Sequence, residues 1–406
     1  MRKRFTWFVA ILVLVAFGLL LACSVKYSPN NDALLVSPSQ GLAVMQSFSV
    51  DLQNGHVAQI YNDNGPPTDG IPTQVILDPQ GAHAYVILQA NPAVMGGSVN
   101  GIETFNILSD GKLANIGQVT LPISPRALAM DSAGKFLFVA VGGSIYVYSI
   151  GADASLTQVG TPTSLPAQPG GQGPPVASAL TVTPTIYPAQ FAYCSGATPP
   201  TTENLYVTDS VNYVLLNYKV LSTGALDFVP FSNTTGGVTG ISTGSVPSGV
   251  AVDPCNRFVY VSNAAPNNSV CAYTICYGVS LASSCPSANF SLQPVSGSPY
   301  PAGDDPGPLV VDPYGKWLYV LDTGSNQISG YGIASATGAI SPFTGAPTAT
   351  NLEPTSIAIR KDDSWLFVSN LNSANISEYA VTPATGILSP QAPITSFNYP
   401  SSVAVK

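Results

Sequence analysis

One pattern of apolar and turn positions recurs along most of the chain. A proline, five intervening residues that are mostly apolar, and a turn residue appear at Pro72 to Asp78, Pro125 to Asp131, Pro247 to Asp253 and Pro306 to Asp312. Pro354 to Arg360 and Pro400 to Lys406 keep the spacing without the acid, and Ala177 to Thr183 is a degenerate copy. Shortly after each turn an aromatic or aliphatic residue precedes Val: Tyr85-Val86, Phe138-Val139, Tyr206-Val207, Tyr260-Val261, Tyr319-Val320, Phe367-Val368 and, near the start, Leu35-Val36. A third pattern sets an aromatic two residues before a β-branched aliphatic, as in Phe48/Val50, Phe105/Ile107, Tyr148/Ile150, Tyr218/Val220, Tyr273/Ile275, Tyr331/Ile333 and Tyr379/Val381. That spacing puts both side chains on one face of a strand, and these residue types suit a pleated surface. Turn signals such as Asn54-Gly55, Asp110-Gly111, Thr223-Gly224, Thr337-Gly338 and Thr385-Gly386 follow most third strands and introduce a fourth.

Each unit therefore predicts a four-stranded antiparallel sheet, and seven copies predict an all-β, seven-bladed β-propeller spanning residues 31–406. The phase of the repeat predicts how the ring closes. The chain opens on a second strand (Ala33 to Val36) and finishes on a first strand (Pro400 to Val405), so the C-terminal strand completes the N-terminal blade. Closure removes the open edges that an array of sheets would otherwise expose.

The units Asp253-Pro254-Cys255-Asn256-Arg257-Phe258-Val259-Tyr260-Val261-Ser262-Asn263 and Asp312-Pro313-Tyr314-Gly315-Lys316-Trp317-Leu318-Tyr319-Val320 resemble those of the lactonase-type, 6-phosphogluconolactonase-like and YVTN-repeat propellers. The resemblance covers nearly the whole chain beyond its N-terminal segment. It implies lactone hydrolysis by His, Arg and Glu around the channel, with histidines just inside the first strand of a blade. The matching positions here are Thr73-Gln74, Arg126-Ala127, Ser248-Gly249, Gly307-Pro308, Thr355-Ser356 and Ser401-Ser402, and none is a histidine.

The N-terminal segment differs in kind. Arg2-Lys3-Arg4 precedes the apolar run Phe5 to Leu21, the pattern of a secretory signal, here residues 1–22. Leu20-Leu21-Ala22-Cys23 resembles a bacterial lipobox, which implies acylation of Cys23, a short tether over residues 23–30 and a membrane partner reached through that lipid. Ser24 after the cysteine implies the outer membrane, so the expected location is extracytoplasmic.

Charge narrows the choice of partner. The chain carries 13 Lys and Arg against 21 Asp and Glu, with 8% charged and 45% hydrophobic residues. Nucleic acid is excluded as a partner because no basic face is available to neutralise phosphates. The expected ligand is a small molecule, a carbohydrate or a protein at the channel mouth, and a monomer is expected. Only two His are present, which leaves little material for acid-base or metal chemistry, and no cofactor is expected.

Of six Cys, Cys23 is assigned to lipid. Cys194 and Cys255 lie between first and second strands of neighbouring blades, on one face, and are expected to form a disulfide. Cys276 and Cys285 flank a loop between third and fourth strands and form the second expected pair, leaving Cys271 as a buried hydrophobe. Zinc on Cys271, Cys276 and Cys285 lacks a fourth ligand nearby, and no metal site is expected.

Loops entering the first strand and loops joining the second to the third share one face, and the Asp-Pro turns lie on the other. This sorting gathers Asp69, Arg126, Asp209, Asp304, Asp305, Asp322, Glu353 and Tyr399 at the mouth. Asp69, Arg126, Asp209, Asp304, Asp322 and Tyr399 are the ligand-binding candidates, and Arg126, Asp305 and Glu353 are the catalytic candidates. Arg126 could polarise a lactone carbonyl, clamp a carboxylate, or pair with a mouth acid. Asp304, Asp305, Asp322 and Glu353 also offer hard oxygen ligands of the kind calcium prefers. His56, His83 and the aspartates of the Asp-Pro turns fall on the opposite face, where they suit turn chemistry. Two functions remain open: a non-catalytic, lipid-anchored binding or scaffolding propeller, and a divergent lactonase acting on a sugar or acyl lactone.

Overall fold

The computed structural model describes residues 27, 32–53, 55–60, 65–91, 98–183, 194, 202–231, 240–276, 285, 291–395 and 398–406. The signal segment and Cys23 lie outside the described residues. All regular structure among the described residues is β-strand, arranged as seven antiparallel sheets.

Blade 1 holds Asp32–Ser39, Val44–Asp51 and Val57–Gln59, and its innermost strand is the C-terminal Ala404–Val405. Leu35 pairs with Val405 and Val36 with Ala404. The zipper extends on both sides: the Lys406 amide donates to the Leu34 carbonyl (2.9 Å), and the Ser401 amide to that of Pro38 (3.2 Å). The ring is thus closed by pairing the two ends of the propeller. Blades 2 to 7 begin at Ile71–Leu77, Pro125–Met130, Ala177–Val182, Pro247–Val252, Pro306–Val311 and Pro354–Ile359, each the innermost strand of its sheet. Blades 3 to 6 add a short fifth strand beside the third: Thr163–Ser164, Ile241–Ser242, Tyr300–Pro301 and Thr348–Ala349.

Packing explains the repeat. Second strands such as Asn204–Asp209, Phe258–Asn263 and Trp365–Asn370 are buried along their whole length because neighbouring blades cover both faces. Every seam between blades carries its own apolar core, for example Phe138, Val207, Leu216 and Tyr218 between blades 3 and 4, or Phe48, Phe367 and Ile376 between blades 7 and 1. Each such side chain contributes about 1.5–3 kcal/mol of burial.

The Asp turns close the inner hairpins of blades 2, 3, 5 and 6. Asp131 accepts the amides of Lys135 and Phe136 (2.6 and 2.7 Å), and Asp312 those of Lys316 and Trp317 (2.6 and 2.7 Å). Asp253 does the same and also holds the Arg257 guanidinium through Nε and Nη2 at 3.0 and 2.9 Å. The Cys194–Cys255 and Cys276–Cys285 disulfides are both present, and Cys271 is a buried free thiol.

Candidate ligand site in the axial channel

The inner strands frame two different channel ends. At the rim end, where chain enters each first strand, a β-bulge breaks the pairing of all six blades from 2 to 7, between Pro72/Gln74, Pro125/Ala127, Ala177/Ala179, Pro247/Gly249, Pro306/Leu309 and Pro354/Ser356. A bulge aims one extra side chain away from the ladder. Hydroxyls at this position tie a blade to the next: Ser178 donates to the Pro247 carbonyl (2.8 Å), Ser248 to that of Pro306, Thr355 to that of Pro400 (3.5 Å), and Ser401 to that of Pro72 (2.8 Å). Blade 3 carries Arg126 here instead. It is exposed, and it makes no ion pair or hydrogen bond among the described residues.

Directly before the strand proline, Val246, Asp305, Glu353 and Tyr399 adopt left-handed backbone, with φ of 48°, 51°, 56° and 57°. This conformation costs a residue other than glycine about 1–2 kcal/mol. Its return is a hydrogen bond: the four carbonyls accept the amides of Ala264, Thr323, Leu371 and Gln40 from the loop after each second strand (3.1, 3.0, 2.8 and 3.0 Å). Asp305, Glu353 and Tyr399 therefore occupy equivalent places on three consecutive blades. Leu352 (61% exposed), Ile123 (53%) and Tyr399 (47%) leave apolar surface on this rim. Sequence reading passed over Val246, Leu352 and Ile123, although their place just ahead of the strand prolines was a usable signal.

The remaining rim acids have other partners. Asp209 is fully buried and caps the turn after its strand, accepting the amides of Val176 and Val211 (both 3.0 Å) and the Asn212 side chain (2.7 Å). Asp322 is also buried; Ser329 donates to it at 2.6 Å, and desolvation pushes its carboxyl up to about 6. Asp304 accepts Asn268 Nδ2 at 3.0 Å, and the Thr323 hydroxyl donates to Asp305. Asp69 is exposed, while its backbone amide donates to buried Glu103 at 2.8 Å. Burial pushes Glu103 up to about 7. Among the described residues no three His, Cys, Asp or Glu side chains converge on a metal position, so the calcium candidates do not gather.

At the turn end the channel widens into a cavity of about 980 Å³. Its walls are apolar, with Val75, Met130, Val182, Val310, Ile357 and Val405 contributed by five of the inner strands and the closing strand. Inward it reaches Gln74, Ser356 and Ser402, a polar collar in which Gln74 accepts the Leu128 amide (2.8 Å) and the Ser356 and Ser402 hydroxyls meet at 3.4 Å. Outward it opens among Asp78, Asp131, Lys361 and Lys406. These charges are engaged. Asp78 pairs with His83 Nδ1 at 2.7 Å and accepts the Ala82 amide at 2.6 Å; Lys361 donates to the Pro79 carbonyl (2.9 Å) and Lys406 to that of Gly81 (3.2 Å). The cavity thus offers a large apolar volume with a polar mouth, and its carboxylates are held in turn geometry.

The sequence model of the lactonase seven-bladed β-propeller family matches residues 289–406. No curated protein matches the chain. Among solved structures it is similar to a periplasmic gluconolactonase of Pseudomonas aeruginosa, with a TM-score of 0.70 and 18% identity over 92% of this chain and 98% of that one. A Bacteroides fragilis protein provisionally assigned as a 6-phosphogluconolactonase has a TM-score of 0.70 and 16% identity over 93% and 99% of the two chains. A functionally unknown protein from Desulfotomaculum acetoxidans has a TM-score of 0.65 and 14% identity over 92% and 98%. At these identities the likeness establishes a shared fold, which hosts many functions.

Proposed function

We propose that this chain is an extracytoplasmic binding propeller, held to a membrane by lipid on Cys23, which receives an amphipathic small molecule through the turn end of its axial channel. The observation that carries this reading is the 980 Å³ cavity with apolar walls and a polar mouth. Its size is that of sites that enclose small organic ligands. The carboxylates around it serve as turn caps, which favours binding over bond-making. The two disulfides accord with an oxidising compartment.

Tyr27 adds an orientation. It is buried against Leu34 and beside Gly111, which belongs to a turn on the same face as the Asp turns. Cys23 precedes it by four residues, at most about 14 Å of chain. A lipid on Cys23 would hold the turn end close to the bilayer and direct the cavity toward it.

The test uses the mature protein and the fluorescent amphiphile 8-anilinonaphthalene-1-sulfonate. Saturable binding that undecanoate displaces is expected in the wild type, with at least a tenfold loss in Val182→Trp and in Val310→Trp, which narrow the cavity from different blades. Unchanged binding in both variants rejects the channel as the site.

A second reading, a divergent lactonase at the rim, is favoured by the exposed guanidinium of Arg126 at a position where four blades carry stapling hydroxyls. A panel of sugar and acyl lactones, assayed with Arg126→Ala in parallel, separates the two. Turnover lost in that variant would establish the lactonase.

A further inference from the structure

Apart from the axial channel, and independent of its role, a second cavity of about 650 Å³ lies at the seam where blade 7 meets blade 1. Phe48, Asp51, His56 and Gln59 contribute from blade 1 and Glu378 from blade 7, while Gln391 to Thr395 forms the remaining wall. Glu378 belongs to the third strand of its blade, Asn375–Val381, in register with Phe367. It is only 2% exposed, and its Oε1 has no hydrogen-bond partner among the described residues. None of the ion pairs among the described residues includes it.

The repeat shows that packing does not require this charge. The residue just before the third-strand aromatic is Ser47, Thr104, Val147, Asn217, Ala272 or Gly330 in the other six blades, uncharged in each. A carboxylate withdrawn from water without donors is among the costlier groups a fold can hold, and proteins rarely leave one unmatched. Burial accordingly pushes Glu378 up to about 7. Hydroxyl donors alone would leave its charge uncompensated, whereas a protonated amine supplies both donors and opposite charge. Asp51 adds a second acid to the cavity and the half-buried Val57 an apolar surface for an alkyl stem. We propose that this seam cavity binds a small organic cation, a primary ammonium group, on the carboxylate of Glu378.

The titratable groups sharing the cavity are Asp51 and His56; the flanking strands Trp365–Asn370 and Leu388–Pro390 and the wall from Gln391 to Thr395 contribute none. Because the ammonium pairs with the ionised acid, binding below about pH 7 must release a proton.

Isothermal titration of the mature protein with n-butylammonium tests this, in pairs of buffers with different ionisation heats. We expect about tenfold weaker binding at pH 6 than at pH 8, with close to one proton released at pH 6. Glu378→Gln should lose at least tenfold in affinity, and 1-butanol should not bind. Ala392→Trp leaves the carboxyl in place and obstructs the cavity wall, so it should also lose binding, and it decides the matter should Glu378→Gln fail to fold. Wild-type affinity in either folded variant, or an affinity flat from pH 6 to pH 8, overturns the proposal.

Discussion

The two ends of the channel are built from the same repeat and differ in how their polar side chains are held. At the turn end, the side chains of the four Asp turns are committed: Asp78, Asp131, Asp253 and Asp312 hold backbone amides, and Arg257 is locked between Asp253 and the Ser335 carbonyl. At the rim end, Arg126, Leu352 and Tyr399 project with little to restrain them. Yet the large cavity opens at the committed end. The difference teaches that turns with committed polar side chains can frame a large cavity, while loose charges on a rim do not by themselves make one.

The largest expected effect is at the turn end. Asp253→Ala strands the buried Arg257 guanidinium without its partner and should cost about 3–5 kcal/mol in denaturant unfolding. A cost below 1 kcal/mol would show that the turn aspartates are not the struts described here.

Next comes pH. Burial raises Asp363 and Glu378 to about 7, Glu103 to about 7 and Asp322 to about 6. Their unfolded values are about 3.9 for Asp and 4.3 for Glu, so between the two limits the native state binds more protons than the unfolded chain. Stability contributed by these groups is complete below about pH 4 and is lost as pH rises through 6 to 7. The protein should therefore melt higher at pH 5 than at pH 8. Asp363 accounts for the turn end's share. It sits in left-handed backbone (φ 60°) where Gly134 and Gly315 stand in other blades, with neither carboxyl oxygen hydrogen-bonded among the described residues. Asp363→Gly should raise stability at pH 8 by about 1–2 kcal/mol and flatten the pH slope. A slope unchanged in that variant would remove Asp363 from the account.

The smallest effects belong to the rim. Ser401→Ala removes one interblade hydrogen bond and should cost about 1 kcal/mol. Arg126→Ala should lie within about 0.5 kcal/mol of the wild type, because nothing among the described residues leans on it. Thermal melts of the two variants side by side check the ranking.

Much of this architecture was legible in the sequence because the second strands are apolar on both faces and the turn aspartates keep their spacing. The phase of the first and last strands disclosed closure, and the placement of Cys194 and Cys255 in neighbouring turns disclosed their bridge. The site was far less legible. Channel width is set by seven inner strands together, so no local pattern announced where the cavity opens. The direction of Asp209 and Asp322 was equally hidden: both end second strands, and unpaired groups in the adjoining loops and strands draw them inward. Two-residue fifth strands carry no periodicity to read. Glu378 was visible as the lone acid of its strand, but only its burial gave that position meaning.

The most direct measurement is a crystal structure of the mature protein with 11-bromoundecanoate, in which anomalous scattering locates the bromine. The account predicts a bromine peak inside the channel among Val75, Val182, Val310 and Ile357, with the carboxylate toward Lys361 and Lys406. A single peak on the rim beside Arg126, with the channel holding only water, would contradict it.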